Sequence, residues 1–352
     1  MNIKLLTKLI DVPGISGYEK NISNFAINLL ERKEYQVEIN DLGTIIAKKE
    51  FDQNKKTIMI DAHMDEVGFL VTGINKHGLI SFAPIGGIWS EILNMQLVDV
   101  WTINLNNSYP GVIVFPSSST HQQKGKTPLI DKMLIDIGMT SDKEILDLNI
   151  TIGSTITFSS PTIFTKNRGL GKAIDNRLGL YLLLETALQI NLKDYNYNVV
   201  FVISSQEEVG LRGSRTATYK LNPDLSIVID ISPANDLVTQ EFGKGILGSG
   251  TMIRHQDAHV IYSKKVINLL QKVIKENEIK AQDYFSLGGT NAGIIQLTKS
   301  GKTVIPIGLV ARNLHTGTQI FDLNDLVETQ KLILSLLKTL DEEMILNLKE
   351  RF

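Results

Sequence analysis

The amino-acid sequence predicts an α/β/α sandwich with a mostly parallel sheet, into which a small β-barrel or β-sandwich domain is inserted. Three observations predict this fold class. Apolar runs that suit buried strands alternate with helical patterns. One region in the first half of the chain has short strands and turns but hardly any helix. The chain of 352 residues is also longer than a usual domain of about 100 to 200 residues, so we expect two domains.

Four apolar runs are predicted to be strands that are buried on both faces, because each is apolar throughout and is bounded by polar residues. They are TIMID (57–61), NVVFVIS (198–204), SIVIDI (226–231) and TVIPIGLV (303–310). Helical patterns lie before, between and after them, at Ile22–Glu31, Asn176–Ile190, Ser263–Asn277 and Asp322–Leu340. Ser263 and Asp322 stand where an N-cap side chain accepts the first free backbone amides. This alternation predicts a sheet whose central strands are parallel.

A different pattern covers residues 70–160, which we predict to be the inserted domain. Short strands at Val98–Leu105, Gly111–Phe115 and Thr155–Phe158 alternate with glycine, proline, serine and asparagine turns, which is typical of a small β-barrel or sandwich. The polar stretch 116–128 (PSSSTHQQKGKTP) is predicted to be a mobile loop. Residues 1–69 and 161–352 would then form one discontinuous α/β domain.

The composition excludes several classes of protein. Thirty-six basic and 38 acidic residues give a net charge of −2, so the overall charge favours neither nucleic acid nor an anionic membrane as a partner. The chain has no cysteine, which excludes disulfides, zinc fingers, iron–sulfur clusters and cysteine nucleophiles. Lysines interrupt the apolar N-terminal stretch, and no run reaches the roughly 18 apolar residues of a membrane span. We therefore expect a cytoplasmic protein, in which histidines and carboxylates hold any metal.

Side chains that could bind a metal follow each of the predicted buried strands. They are His63 after the first strand, Glu207 and Glu208 after the second, Asp230 in the third and His315 after the fourth. The carboxyl ends of parallel strands lie at one edge of a sheet, where open α/β sheets bind ligands, so we expect these side chains to converge. Taken singly, each histidine could be structural and each acidic residue could belong to an exposed loop.

The local spacing indicates different roles for these residues. Asp65 stands two positions after His63, where a carboxylate can accept the second N–H of a metal-bound imidazole and fix its orientation. Neighbouring strand residues point to opposite sides, so we expect Glu207 and Glu208 to divide two tasks, cation binding and proton transfer from water. Asp175 opens the apolar helix and is expected to be its N-cap, although a carboxylate there could also bridge two metals.

The remaining histidines give no clear sign of a site. His255 and His259 have the spacing of an H-x-x-x-H pair, but Gln256 stands where the zinc-binding helix motif needs glutamate, and the segment lacks a helical pattern. We therefore do not expect this pair to bind a metal. His77 and His121 fall in the predicted insertion and in its loop, where surface positions are expected.

Six motifs, in the same order along essentially the whole chain, resemble those of the di-metal tetrahedral aminopeptidases, which are co-catalytic zinc or cobalt exopeptidases. The motifs are AHMDEVG (62–68), AIDNRLG (173–179), QEEVGLRGS (206–214), VIDISPAND (228–236), GGTNAG (288–293) and ARNLHTG (311–317). Within that family, the stretch from Gly250 to His259 is similar to bacterial glutamyl aminopeptidase. The resemblance implies a metal-dependent peptidase that releases the N-terminal residue of peptides, with a preference for Glu or Asp.

The resemblance also implies a role for each matched residue. His63 and Asp230 would bind one metal, Glu208 and His315 would bind the second, and Asp175 would bridge both. Asp65 would orient His63, and Glu207 would be the general base that activates the attacking water. Arg254 would hold an acidic substrate side chain, since a guanidinium forks onto a carboxylate; an ordinary surface arginine is the alternative. The metals would be two divalent ions per subunit, zinc or cobalt, with manganese as a further candidate.

For the architecture, the resemblance implies a catalytic α/β domain and an inserted β domain that takes part in oligomerisation, commonly as a tetrahedral dodecamer with an internal chamber. Peptides are the expected substrates, with neither nucleic acid nor membrane as a partner. Two positions depart from the family pattern, because Asn176 and Asn291 stand where the family often has aspartate. Both changes leave the implied ligands intact, and both leave open what charge surrounds the metals.

Other functions stay open at this point. Within the family, a broad-specificity or leucyl-type aminopeptidase is the alternative. A glycoside hydrolase of the endoglucanase type, a label that some relatives carry, would use two carboxylates about 5–9.5 Å apart and no metal, and the clustered histidines argue against it. A non-enzymatic protein on the same scaffold is a third alternative, against which the complete set of ligands argues.

Overall fold

A computed structural model of the chain describes residues 1–115, 129–237 and 244–349. In it, a nine-stranded sheet with helices packed against it forms one part of the molecule, and a closed six-stranded barrel forms another. The α/β class with a small β-barrel is therefore confirmed. Among the described residues, no helix has both the length and the apolar character that crossing a membrane needs.

Strands and helices are numbered here in chain order. The strands are β1 (Gln36–Ile39), β2 (Ile45–Lys48), β3 (Thr57–His63), β4 (Gly68–Ile74), β5 (Leu79–Ile85), β6 (Leu97–Trp101), β7 (Ser108–Val114), β8 (Leu134–Asp136), β9 (Thr155–Phe158), β10 (Ile163–Phe164), β11 (Arg168–Gly171), β12 (Asn198–Ser204), β13 (Leu225–Pro233), β14 (Thr251–Gln256), β15 (Ala281–Phe285), β16 (Thr303–Arg312) and β17 (Gln319–Asp322). The α-helices are α1 (Ile3–Asp11), α2 (Lys20–Glu31), α3 (Asp142–Asp147), α4 (Ile174–Gln189), α5 (Arg212–Leu221), α6 (Lys264–Glu276), α7 (Asn291–Gln296), α8 (Leu323–Thr339) and α9 (Glu342–Lys349).

The large sheet has the strand order β1-β2-β12-β3-β13-β16-β17-β11-β10. Its four central strands, β12, β3, β13 and β16, are parallel, while the pairs toward both edges are antiparallel. The four apolar runs of the sequence are these central strands, and each is buried almost throughout. Because they are parallel, the residues that follow them meet at one edge of the sheet. The parallel part is thus confined to the centre, where the predicted site residues lie.

The helices bury apolar faces against this sheet. α4 is enclosed on nearly every side, in keeping with its apolar sequence, and packs against β3 and β13. α6 and α8 begin at the predicted caps, since Ser263 Oγ accepts from a backbone N–H of the first turn of α6 and the Asp322 carboxylate does the same for α8. These helices cover the parallel strands whose ends carry the predicted site residues, so the site is built on packed secondary structure.

The barrel has the strand order β4-β5-β8-β7-β6-β9 and extends from Gly68 to Phe158. It has an apolar core of its own, in which Phe69 packs edge-to-face against Phe82 and Phe158 with ring centroids 5.1 and 5.5 Å apart. The six-residue helix α3 is the only α-helix in the described part of this stretch. His77 is exposed in the turn between β4 and β5, as expected, whereas His121 and the predicted mobile loop lie outside the described residues.

Candidate metal centre

Six of the predicted site residues line one cavity of about 340 Å³ at the carboxyl edge of the parallel strands. They are His63 at the end of β3, Asp175 near the start of α4, Glu207 and Glu208 in the turn after β12, Asp230 in β13 and His315 after β16. Residues that lie up to 252 positions apart in the chain, from 63 to 315, are thereby brought together. The parallel order of the central strands accounts for the convergence.

The nitrogen and oxygen atoms of the site fall into two groups that share Asp175. His63 Nε2 lies 3.3 Å from Asp175 Oδ1 and 3.8 Å from Asp230 Oδ1. His315 Nε2 lies 3.6 Å from Asp175 Oδ2 and 3.3 Å from Glu208 Oε2. The three candidate ligand atoms of each group lie within 4.8 Å of one another. Each Asp175 oxygen therefore faces a different group, and a carboxylate placed in this way can bridge two cations.

The chemistry of these side chains fits divalent cations. Carboxylate oxygens and imidazole nitrogens, without thiolates, are ligands of hydrolytic zinc and of similar ions. Asp175 Oδ1 is buried and has no hydrogen-bond partner among the described residues, which is costly unless another group satisfies it. His63, Glu207 and Glu208 form a third group within the same distance of one another, and this group lacks the shared carboxylate. The two groups that share Asp175 therefore account for the position of its carboxylate, which the third group does not.

The carboxylate of Asp175 is free for the site because its neighbour caps the helix. The prediction that Asp175 is the N-cap of α4 is wrong: Asn176 Oδ1 accepts the capping bond from Gly179 N–H at 3.0 Å. Asp175 and Asn176 have non-helical backbone angles, and the peptide bond between them is cis. The backbone N–H of Asp175 donates to Gln319 Oε1 at 3.0 Å. Both carboxylate oxygens of Asp175 are thus left for the cavity.

Asp65 connects His63 to the turn that carries the two glutamates. Its carboxylate accepts from the backbone N–H of Glu207 at 3.0 Å and of Glu208 at 3.1 Å, and from Ser16 Oγ at 2.6 Å. Its Oδ1 also lies 3.4 Å from His63 Nδ1. Burial would raise the pKa of Asp65, but the contacts with His63 and Ser16 outweigh burial and hold this pKa below its ordinary value. The carboxylate is therefore an ionised link between two strand ends.

Burial acts on the pKa values of the site in opposite directions, because it disfavours the charged form of carboxyl groups and of histidines alike. It raises the pKa of Glu207 well above its ordinary value, an effect that His63 offsets only in part, and it raises the pKa of Glu208 to about 8. Burial alone would lower the pKa of His315, but the contact with Asp175 and the charge of Glu208 raise this pKa to about 9. Buried acids at this density are stable in ionised form only with positive charge among them. Bound cations would supply that charge.

A second and larger cavity, of about 840 Å³, adjoins the one that holds the site. The two cavities share Asp175, Ile231, Gly288, Gly289 and His315 in their walls. The larger one has apolar walls that include Trp89 and Ile92, which belong to the barrel. Both parts of the molecule therefore surround the space next to the candidate metal centre.

Arg254 lies behind the wall of the larger cavity and not on the molecular surface. It is 3% exposed in β14, and its Nη2 donates to Ser232 Oγ at 2.6 Å. Ser232 itself lines the larger cavity. Arg254 Nη1 lies 3.8 Å from Asp257 Oδ2 and has no hydrogen-bond partner among the described residues. A buried cationic group with a free donor is thus one residue away from the cavity.

The H-x-x-x-H pair does not join the ligands. His255 Nε2 lies 2.5 Å from Asp283 Oδ1, and its ring stacks on Phe285. His259 was not predicted as a site residue, yet its side chain lines the smaller cavity and packs next to Gly289. No signal in the sequence indicates this placement, because tertiary packing brings the turn after β14 next to the GGTNAG motif.

Comparison with known proteins extends over nearly the whole chain. The model of the M42 glutamyl aminopeptidase family matches residues 43–332. The glutamyl aminopeptidase of Lactococcus lactis subsp. cremoris is 30% identical over 349 residues, which is 97% of each chain. The lysyl aminopeptidase of Pyrococcus furiosus is 30% identical over 349 residues, which cover 96% of this chain and 97% of the relative. Among solved structures, the chain is similar to the Pyrococcus horikoshii TET1 peptidase, which can assemble into a tetrahedron or a large octahedral shell. The two are 27% identical in sequence and superpose with a TM-score of 0.86, and the matched region covers 96% of this chain and 99% of the TET1 chain.

Proposed function

Because this chain belongs to the M42 glutamyl aminopeptidase family, we propose that it is a two-metal aminopeptidase whose active site is the cavity around Asp175. The observation that carries the two-metal proposal is the Asp175 carboxylate, whose two oxygens face two separate groups led by His63 and His315. The reaction is hydrolysis of the first peptide bond of a peptide with a free N-terminus.

The proposed division of the ligands follows the two groups. His63 and Asp230 would hold one cation, Glu208 and His315 would hold the other, and Asp175 would contact both; zinc, cobalt and manganese suit these donors. When bound, such a pair polarises a carbonyl and lowers the pKa of water toward about 7. The chain's own residues then provide the proton transfers and the alignment.

Glu207 is the proposed general base. Its Oε2 lies 4.0 Å from His63 Nε2, so the carboxylate is next to the proposed ligands and belongs to neither of the two groups that share Asp175. It would accept the proton of the attacking water and deliver a proton to the leaving amine. Asp65 would fix the position of His63 relative to the backbone of Glu207, because its carboxylate contacts both.

The two adjoining cavities suggest how a peptide would lie. The smaller one holds all the proposed ligands and would take the free amine and the scissile bond of the substrate. The larger one shares a wall with it, has Arg254 behind its lining residue Ser232, and would take the side chain of the first residue. A free α-amine held beside the metals or a carboxylate would explain why only the first peptide bond is cleaved.

For the first residue we propose a preference for Glu or Asp. The free Nη1 of Arg254 supports this preference, since a buried guanidinium with an unused donor matches a carboxylate. Relatives at the same identity are named glutamyl and lysyl aminopeptidase, so family membership alone does not decide between them. A leucyl or broad preference is the alternative that the apolar walls of the larger cavity favour.

A panel of Glu-, Asp-, Leu- and Lys-arylamides, run with zinc, cobalt and manganese, tests the proposal. Metal-dependent release of the arylamine would support an aminopeptidase, and the fastest release from Glu and Asp would support the preference. Faster turnover of Leu or Lys would remove the acidic preference and leave the aminopeptidase assignment intact. Hydrolysis of a soluble cellulose that persists in the presence of a chelator would instead favour a glycoside hydrolase.

We also propose that the barrel takes part in assembling the chain into a homo-oligomer, up to a tetrahedral dodecamer. The likeness to a solved structure that forms a tetrahedron supports this, and so do exposed apolar side chains on and near the barrel, among them Trp89, Met95 and Leu97. Sedimentation velocity measures the outcome: a species near twelve chains would support the proposal, and a monomer at micromolar concentration would contradict it.

A further inference from the structure

A buried polar cluster lies beneath the candidate metal centre, with the side chain of Asn291 at its middle. Asn291 is 1% exposed and is the first residue of α7. Its Nδ2 donates to Asp61 Oδ2 at 2.7 Å and to Ser204 Oγ at 2.9 Å, and its Oδ1 accepts from Ser214 Oγ at 2.8 Å. One amide thus joins β3, β12, α5 and α7.

The positions of the two serines give this cluster a connection to the site. Ser204 is the last residue of β12, and Ser214 lies in the first turn of α5. The turn between them carries both Glu207 and Glu208. Asn291 therefore contacts this turn where it begins and where it ends, and a backbone bond from Gly213 N–H to the Ser205 carbonyl at 3.0 Å closes it between those two points.

We propose that Asn291 is a positioning residue that fixes the segment 204–214, and with it the proposed base and one proposed ligand, and that Asp61 orients the Asn291 amide. The inference rests on the proposed roles of Glu207 and Glu208. Asp61 is fully buried in β3, two residues before His63, so the same cluster also contacts the strand that supplies a ligand to the other group.

The hydrogen bonds require one carboxyl and one amide in this pair. The side facing Asp61 and Ser204 must donate, and the side facing Ser214 must accept, which only an amide at position 291 can do beside a carboxylate. An aspartate at 291 would place two carboxyl oxygens 2.7 Å apart in a buried site. The contact with Asp61 therefore favours asparagine over aspartate at position 291.

The contact predicts that carboxyl and amide can be exchanged across it. We would compare the wild type with N291D, with the exchanged double variant D61N/N291D, and with S214A. T186V is the matched control: Thr186 is also fully buried and its side chain makes two hydrogen bonds, but it lies in α4 and contacts Leu182 and Gln330 instead of the site. The readouts are the thermal midpoint of the metal-free protein, its affinity for Zn²⁺ alone, and the separate values of kcat and KM.

N291D is expected to weaken Zn²⁺ binding by about 10–100-fold, the usual effect of losing a contact behind a ligand, and to lower kcat more than it changes KM. D61N/N291D is expected to recover most of both losses, and S214A to show a smaller loss of the same kind. T186V is expected to lower the thermal midpoint without changing Zn²⁺ affinity. If N291D does not fold, S214A alone carries the comparison.

Two results would overturn the inference. One is that N291D and S214A lower only the thermal midpoint, as T186V does, with Zn²⁺ affinity and kcat unchanged. The other is that the exchanged double variant is as impaired as N291D. A wild type that binds no Zn²⁺ would instead contradict the proposed function, and Zn²⁺ affinity therefore separates failure of the function from failure of the positioning role.

Discussion

Replacement of Glu207 by glutamine separates proton transfer from metal binding, because the change keeps the shape of the side chain and removes only its basicity. Glu207 lies outside the two groups that share Asp175, so the proposed ligands stay in place in E207Q. Its backbone N–H, which donates to Asp65 at 3.0 Å, is also unaffected. The variant should therefore fold, bind two metals and fail in the chemical step.

The expected magnitude follows from the role. A positioned general base contributes about 10²–10⁴-fold, so kcat of E207Q should fall by that factor, which corresponds to a barrier higher by about 3 to 5 kcal/mol. Stability should change in the opposite direction. Burial raises the pKa of Glu207 in the folded, metal-free protein, so this carboxyl destabilises the fold increasingly as pH rises above its unfolded value. Metal-free E207Q should therefore unfold at a higher temperature than the wild type at pH 8.

The assay combines arylamide turnover with metal content measured on the same samples. E208Q is the control for the neighbouring position, and it should lower Zn²⁺ affinity by more than the roughly 10–100-fold that loss of an outer contact causes. Near-normal turnover of fully loaded E207Q would refute the assignment of the base. Loss of metal from E207Q and not from E208Q would show that the two glutamates have exchanged roles.

Two further predictions concern buried charges around the site. Lys172 Nζ lies 2.7 and 2.8 Å from the two oxygens of Glu66, and both side chains are buried. K172M should lower the free energy of unfolding, measured by urea denaturation, by about 3 kcal/mol or slightly more, because it leaves a buried carboxylate with less positive charge beside it. A loss below about 1 kcal/mol would show that Arg177, whose Nη2 lies 3.5 Å from Glu66 Oε1, compensates the Glu66 charge alone. Burial, with a contribution from Asp65, raises the pKa of Glu19 from 4.5 to about 7, so its contribution to stability is lost as pH rises from about 4.5 through 7. E19Q keeps the acceptor for Gln206 N–H and should raise the thermal midpoint of the metal-free protein by more at pH 8 than at pH 5. An equal shift at both pH values would contradict the cause given.

The convergence of the site could be predicted from sequence because it depends on topology alone. Parallel strands place the residues after them at one edge, and that rule is sufficient to bring His63, Glu208 and His315 together before any distance is known. The buried strands were equally clear, since an apolar run bounded by polar residues has few other structures open to it. The antiparallel strands at the edges of the sheet are harder to predict, because strands as short as β10 contain too few residues to show a hydrophobic pattern.

Local backbone geometry and long-range contacts could not be predicted in this way. Asp175 precedes an apolar helix, and an aspartate there is usually a cap; only the non-helical angles of Asp175 and Asn176 transfer that role to the neighbour and free the carboxylate. The contact between Asp61 and Asn291 joins residues 230 positions apart. Neither the position of His259 in the smaller cavity nor the burial of Arg254 follows from periodicity, because both depend on how β14 packs.

The most direct test of the central claim is to titrate zinc into chelated, metal-free protein and to follow hydrolysis of the preferred arylamide at each step. The shared carboxylate of Asp175 predicts that activity is absent without metal and reaches its maximum when two equivalents per chain are bound. Full activity in the chelated protein, or a maximum at one equivalent with no further binding, would contradict the two-metal account.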